Sequence, residues 1–169
     1  MLAPTLNQYA VGFLPVGGFS SATKAHDIAI DDDGRLYILI YVGDYDPSGM
    51  FMSEIDLPGR IARYGGDHVQ LERLALTHAQ VTAPPPVPAL PSFPATDKID
   101  DPRYPWFIRN YGTTCWELDA MDPNDLRACV EQKIKSLIEP TAWARCETVY
   151  AAELHSLKSI LGNWGKSAA

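Results

Sequence analysis

The chain has 169 residues, of which 46% are apolar, and its formal net charge is −7. This length is typical of one domain, and this apolar fraction is enough to bury a core. No run of eighteen apolar residues is present, which excludes a membrane-spanning helix. The acidic balance, with a pI near 4.9, argues against strong unaided binding to nucleic acid.

The predicted elements alternate between helix and strand along the chain, which is typical of an α/β fold with a parallel sheet flanked by helices. Strands are predicted at residues 9–16, 36–42, 69–74 and 115–120. Helices are predicted at residues 1–8, 20–30, 49–64, 78–81, 104–110, 123–139 and 143–161. Pro58 and Gly59 are expected to divide the helix at 49–64 into two parts.

Two segments stand outside this α/β pattern. Residues 84–94 contain six prolines and predict an extended surface connector, with a ligand for a proline-binding module as the alternative. The helix at 143–161 carries an apolar stripe, which either packs on the domain or mediates dimerisation. We therefore divide the chain into an α/β domain at residues 1–140 and a C-terminal helix at residues 141–169.

The cysteines indicate the compartment. Cys115, Cys129 and Cys146 are odd in number and unclustered, which favours buried free thiols in a reducing environment. The first residues lack the basic start and the apolar stretch of a secretory leader. We therefore expect a cytoplasmic protein without a membrane partner.

Two carboxylates follow the strand predicted at 36–42. Asp44 and Asp46 come directly after Gly43, where that strand ends. The carboxyl ends of parallel strands are where open sheets bind ligands, and residues two apart in an extended segment point the same way. Two converging carboxylates repel each other unless a proton or a divalent cation lies between them. The spacing therefore predicts a weak magnesium or manganese site at Asp44 and Asp46.

Three other interpretations compete for this segment. An EF-hand calcium loop matches the first residues but needs Glu where Ile55 stands, and it needs a helix before the loop. A phosphohydrolase of the Asp-x-Asp type places its pair after a buried strand but prefers Thr or Val at the position of Ser48. In the simplest interpretation, Asp46 or Ser48 caps a helix, and Pro47 and Gly49 set the turn.

Four segments occur in an order that resembles the Toprim domain of the topoisomerase VI A-subunit and meiotic double-strand-break family. They are similar to the small phage or prophage proteins that carry this type of Toprim domain. The segments are Gly-Phe-Ser-Ser-Ala-Thr-Lys at 18–24, Gly-Asp-Tyr-Asp-Pro-Ser-Gly at 43–49, Glu-Arg-Leu-Ala-Leu-Thr at 72–77 and Trp-Glu-Leu-Asp-Ala-Met at 116–121. The resemblance implies a Toprim-like parallel sheet over roughly residues 10–140.

The resemblance also implies magnesium-dependent phosphodiester chemistry on DNA, of the topoisomerase or nuclease kind. Asp44 and Asp46 would hold the metal. Glu117, where the family carries a Glu-x-Glu pair, would contact the metal or support the site, and Arg103 would contact a phosphate. The family also uses a glutamate upstream of the segment that corresponds to residues 18–24, and it uses a nucleophilic tyrosine. Neither residue has a counterpart in this sequence.

These gaps predict an activity that is incomplete or absent in this chain. A non-catalytic phage interaction protein that retains a Toprim-like fold is therefore the alternative. DNA is expected to bind only weakly without a partner, because the net charge is −7. If the first strand is missing, a sheet edge is unpaired, which predicts a homo-oligomer with an edge strand or the helix at 143–161 at the contact.

Overall fold

The computed structural model describes residues 2–15, 20–84 and 89–164. Its elements form a mixed α/β structure. The helices are α1 Ala3–Gln8, α2 Ser20–Ile30, α3 Pro47–Phe51, α4 Leu57–Arg63, α5 His78–Val81, α6 Tyr104–Tyr111, α7 Pro123–Leu137 and α8 Pro140–Trp164. The strands are β1 Tyr37–Val42, β2 Val69–Ala75, β3 Phe93–Pro94 and β4 Thr114–Cys115.

A parallel sheet of two strands lies at the centre of the first part of the chain. β1 and β2 run side by side from Tyr37 opposite Val69 to Val42 opposite Ala75. β1 consists of Ile, Val, Leu and Tyr, which fit the pleated surface of a sheet, and β2 carries Val69, Leu71 and Leu74 among polar residues. Helices α2 and α4 contact each other and cover a core, called here the sheet core. Its buried residues are Ala25, Ala29, Tyr41, Leu57 and Ile61.

The helix after β1 is continuous but not uniform. Between α3 and α4 the residues Met52–Asp56 form one wide π-helical turn. Pro58 lies two residues after this turn and has no N–H to donate to it. A wide turn relieves the clash that the proline ring causes in a regular helix. The predicted division at Pro58 is therefore replaced by a local widening, and the helix runs on to Arg63.

A second core is built mainly from aromatic side chains. Its buried residues, called here the aromatic core, are Tyr45, Met50, Leu76, Ala95, Phe107 and Cys115. The Tyr45 ring makes edge-to-face contacts with Phe107, Tyr111 and Trp116. α6 supplies two of these rings, and the antiparallel β3–β4 pair closes the core beside them.

Two strand predictions are wrong. Residues 9–15 form no strand, and Val16 lies outside the described residues, together with Gly18 and Phe19 of the turn motif. The predicted strand at 115–120 is reduced to the end of β4 and one bridge between Tyr45 and Trp116. Leu118–Ala120 then forms a 3-10 turn. Of the proline-rich segment, residues 85–88 are not described, and its last residues join β3.

Contacts divide the chain into Met1–Val130 and Glu131–Ala169. The second unit contains the end of α7 and all of α8. The domain division at 140/141 stays a prediction. Across the described residues, no helix has the length and apolar character needed to cross a membrane.

Candidate functional site

The turn between β1 and α3 is anchored by Tyr45. Its backbone exchanges hydrogen bonds with Trp116, 2.8 Å from Tyr45 N to Trp116 O and 3.0 Å in the reverse direction. Its side chain is fully buried in the aromatic core, and its hydroxyl lies 3.0 Å from Nδ1 of His78. Burial raises the pKa of Tyr45. Tyr45 therefore fixes the backbone on which Asp44 and Asp46 are carried.

Asp46 caps the helix that begins at Pro47. Its backbone is extended, and its Oδ1 accepts a hydrogen bond of 2.7 Å from the Gly49 N–H. Its Oδ2 lies 3.4 Å from Nζ of Lys98, and the residue is only 5% exposed. Both carboxylate oxygens are therefore engaged by this chain. The capping interpretation of Asp46 is confirmed, and the helix begins at Pro47, two residues before the predicted start at Gly49.

Asp44 has a different environment. Its Oδ1 accepts a hydrogen bond of 2.8 Å from the Leu118 N–H, and its side chain lines a cavity of about 440 Å³. Glu117 and Asp119, which flank Leu118, line the same cavity and are exposed. Its remaining walls come from Leu118, Met121, Pro123 and Leu126. The structure thus brings the predicted residue Glu117 to Asp44, together with Asp119.

The fit of this arrangement to a magnesium ion is limited. Within the described ranges, no group of three His, Cys, Asp or Glu side chains could hold a metal ion. Asp44 and two exposed carboxylates share one cavity, whereas the Asp46 carboxylate is bound to Gly49 and Lys98. The cavity volume lies in the range of small-molecule sites, about 300–1,000 Å³. Carboxylates over an apolar floor favour a cationic ligand.

Arg103 and Lys98 lie at the start of α3. Arg103 donates from Nη1 to Ser48 Oγ over 2.6 Å, and the same atom lies 3.6 Å from Oδ2 of Asp101. Its guanidinium also lies over the Phe51 ring. The structure therefore places the predicted phosphate-binding residue at a helix N-terminus, a position that suits anions. It supports that turn through Ser48 and is not among the cavity residues.

Arg73 is the residue that sequence reasoning missed. It lies on β2, and its guanidinium makes a set of hydrogen bonds called here the Arg73 network. The acceptors are Leu76 O at 2.6 Å, Gly49 O at 3.0 Å, Ser53 Oγ at 2.7 Å, Gly43 O at 3.0 Å and Asp44 O. Burial lowers the pKa of Arg73, and nearby Tyr41 opposes that shift. One residue thus ties the ends of β1 and β2 to α3.

A signal for Arg73 was present in the sequence. It alternates with Val69 and Leu71 on one face of β2, so a charged side chain shares a face with apolar ones. Buried charges require partners, and carbonyl oxygens are the partners here. The sequence could not show which carbonyls these are.

Comparison of this chain with protein families, with curated proteins and with solved structures finds no match.

Proposed function

We propose that this chain is a non-catalytic interaction protein built on a Toprim-like α/β core. One observation carries the proposal. The second aspartate of the Asp-x-Asp-Pro-x-Gly segment, Asp46, is engaged as a helix cap and as the partner of Lys98. In a metal-dependent enzyme of the Toprim type, that carboxylate would instead have to face the metal.

The local architecture supports the Toprim-like part of the proposal. Residues 44–49, which have the pattern Asp-x-Asp-Pro-x-Gly, follow the carboxyl end of β1 and precede β2 in the sequence, and β1 and β2 are parallel. The helix that begins at Pro47 follows it immediately, and Glu117 comes close to Asp44 from a later segment. This arrangement is compatible with a Toprim core in which the turn has become structural.

Energetics support a structural role for Asp46. A metal ion would have to displace the Gly49 N–H and the Lys98 ammonium from a carboxylate that is almost fully buried. Loss of a capping side chain costs about 0.5–2 kcal/mol. Magnesium also gives up its own water reluctantly. A weak site at this carboxylate therefore competes poorly with the contacts that the chain already makes.

The test compares two substitutions at one position. Asn caps helices about as well as Asp but carries no charge, whereas Ala cannot cap. We expect Asp46→Asn to lower the melting temperature less than Asp46→Ala. We also expect millimolar Mn²⁺ to leave the difference between each variant and the wild type unchanged. A manganese-induced rise in melting temperature that Asp46→Asn abolishes would refute the structural role.

A second candidate is magnesium-dependent phosphodiester chemistry on DNA. The observation that favours it is the cavity, where Asp44 lies beside Glu117 and Asp119. Magnesium is commonly bound through one or two carboxylates and several waters. In this candidate, Asp44 and Glu117 would hold the ion, and Arg103 would contact a phosphate.

Water-proton relaxation with Mn²⁺ tests this candidate directly. The wild type is compared with Asp44→Asn and Glu117→Gln, and Asp125→Asn in the first turn of α7 serves as a charge-matched control. Manganese binding that both cavity variants lose and the control retains would favour the second candidate. Nicking of supercoiled plasmid that disappears in Asp44→Asn would establish it and overturn the non-catalytic proposal.

A further inference from the structure

Helix α8 carries a row of exposed apolar side chains. It runs from Pro140 to Trp164, about 37 Å at 1.5 Å per residue. Seven of its large apolar side chains are between 38% and 74% exposed. They are Val149, Tyr150, Leu154, Leu157, Ile160, Leu161 and Trp164. A contiguous exposed apolar face of this kind marks an interaction site.

The spacing of these residues is that of a coiled coil. Trp143, Tyr150, Leu157 and Trp164 recur every seven residues. Three positions after the first and the third of them come Cys146 and Ile160. A repeat of seven corresponds to 3.5 residues per turn, which gives a left-handed supercoil between two helices. The pattern therefore favours another helix with the same repeat as the covering surface.

The exposed area matches what a stable dimer needs. The exposed fractions of the seven side chains add up to about four fully exposed residues. A large aromatic side chain presents on the order of 200 Å² and an aliphatic one less, so the face offers at most about 800 Å² per chain. Standard-size interfaces bury about 800 Å² on each partner. Two copies of α8 can therefore supply a complete interface from this helix alone.

The charge of α8 argues against a lipid surface. Its charged residues are balanced, with Arg145 and Lys158 against Glu147 and Glu153. Helices that lie on anionic membranes carry an excess of Lys and Arg on the polar face. The chain as a whole is acidic, which adds repulsion from such a surface.

We propose that α8 binds α8 of a second copy of this chain, and that the two helices form a two-stranded coiled coil. The exposed heptad positions Tyr150, Leu157 and Trp164 lie along the seam. Glu153 falls three positions after Tyr150, where the repeat calls for an apolar residue. A polar residue at one seam position sets the register of a coiled coil at a cost in stability.

The experiment is sedimentation of the 169-residue chain at micromolar concentrations, with a reducing agent present so that no disulfide links the copies. We expect the wild type to sediment at twice 18.6 kDa. Leu157→Glu combined with Leu161→Glu should sediment as a monomer. Thr148→Glu combined with His155→Glu adds two glutamates at exposed positions away from the seam and should stay dimeric.

A gain-of-affinity variant guards against misfolding as an explanation. Glu153→Leu completes the apolar seam, so its dissociation constant should fall at least tenfold. A damaged fold cannot produce that result. A wild type that remains at 18.6 kDa throughout the concentration series would overturn the proposal. So would a Glu153→Leu variant whose dissociation constant is unchanged or higher.

Discussion

Asp44 belongs to both the Arg73 network and the cavity, but the charged side chains of these two regions differ in burial and in hydrogen bonding. The backbone oxygen of Asp44 accepts a hydrogen bond from Arg73, while its carboxylate lines the cavity beside Glu117 and Asp119. Arg73 is largely buried and bound to five acceptors, whereas the two neighbouring acids are exposed. A buried charge with every donor engaged stabilises the fold, and an exposed charge on a cavity wall is free to meet a ligand.

Removing the guanidinium should have the largest effect. Arg73→Met keeps the length of the side chain but removes the donor to the carbonyls of Leu76 and Asp44, whereas the Gly43 and Gly49 carbonyls keep a backbone N–H donor. Each buried polar group left unsatisfied costs about 1–3 kcal/mol. We expect urea denaturation to show a loss of at least about 2 kcal/mol in the free energy of unfolding.

Arg73→Lys is the matched control. Lysine keeps the charge but has three donors on one atom and no planar fork. Its loss should be smaller than that of Arg73→Met and still clear. If both variants are as stable as the wild type, the Arg73 network contributes nothing to the stability of the fold. It would then not differ from the cavity acids in this respect.

Gly49 offers the next largest effect. A Cβ at this position would clash with the backbone carbonyl oxygen of Asp44, far inside van der Waals contact. The turn must therefore shift, which typically costs about 1–3 kcal/mol. We expect Gly49→Ala to lower the free energy of unfolding by that amount, although Ala is the better helix former.

Gly59 on α4 serves as the control because no atom lies within 4 Å of the same added Cβ. Gly59→Ala should raise the free energy of unfolding by about 0.5–1 kcal/mol, the ordinary gain of Ala over Gly in a helix. Opposite signs at the two glycines would sharpen the comparison. A stabilising Gly49→Ala would show that the turn tolerates the extra atom.

Cys115 gives a pH-dependent effect in the aromatic core. Burial raises the pKa of its thiol to about 11, from an ordinary value near 9.0, and Asp46 adds to the shift. A raised pKa in the folded state means that stability is complete below about pH 9 and is lost as the pH rises towards 11. We expect thermal melts to show this fall, and Cys115→Ala to show a shallower one. An equal fall in both proteins would contradict the assignment.

The cavity acids should give the smallest effect on stability. Glu117 and Asp119 are exposed, so Glu117→Gln and Asp119→Asn should each change the free energy of unfolding by no more than about 0.5 kcal/mol. The double variant should be as stable as the wild type or slightly more so, because two like charges beside Asp44 are removed. A large loss of stability would place these residues with the Arg73 network rather than with a ligand site.

Local signals predicted much of the fold. The bounds of α2 match the prediction at 20–30, and β1 and β2 lie within one residue of theirs. Thr77 caps α5 with a full capping box, a pattern that depends on residues close in sequence. The strand at 9–16 failed because an apolar run becomes a strand only beside a partner. Ala10 instead takes a positive φ of 53°.

The sequence identified the residues of the candidate site, but it did not show the role of each residue. The spacing of Asp44 and Asp46 placed both at the end of β1, as found. Whether they converge on a metal depends on Lys98 and Leu118, which lie more than fifty residues away in sequence. Alternation likewise predicted a strand at 115–120, but the 3-10 turn there is what puts Leu118 N–H against Asp44.

The wide turn at Met52–Asp56 determines which side of the helix the residues after it face. In a regular helix Met50 and Leu57, seven residues apart, would lie on the same side. One extra residue in a turn rotates everything after it by roughly 100°. Met50 therefore enters the aromatic core while Leu57 and Ile61 enter the sheet core. The wide turn therefore lets one continuous helix contribute side chains to both cores. Deleting one residue from the turn would place Met50 and Leu57 on the same side of the helix, and one of the two cores would lose its side chain from this helix.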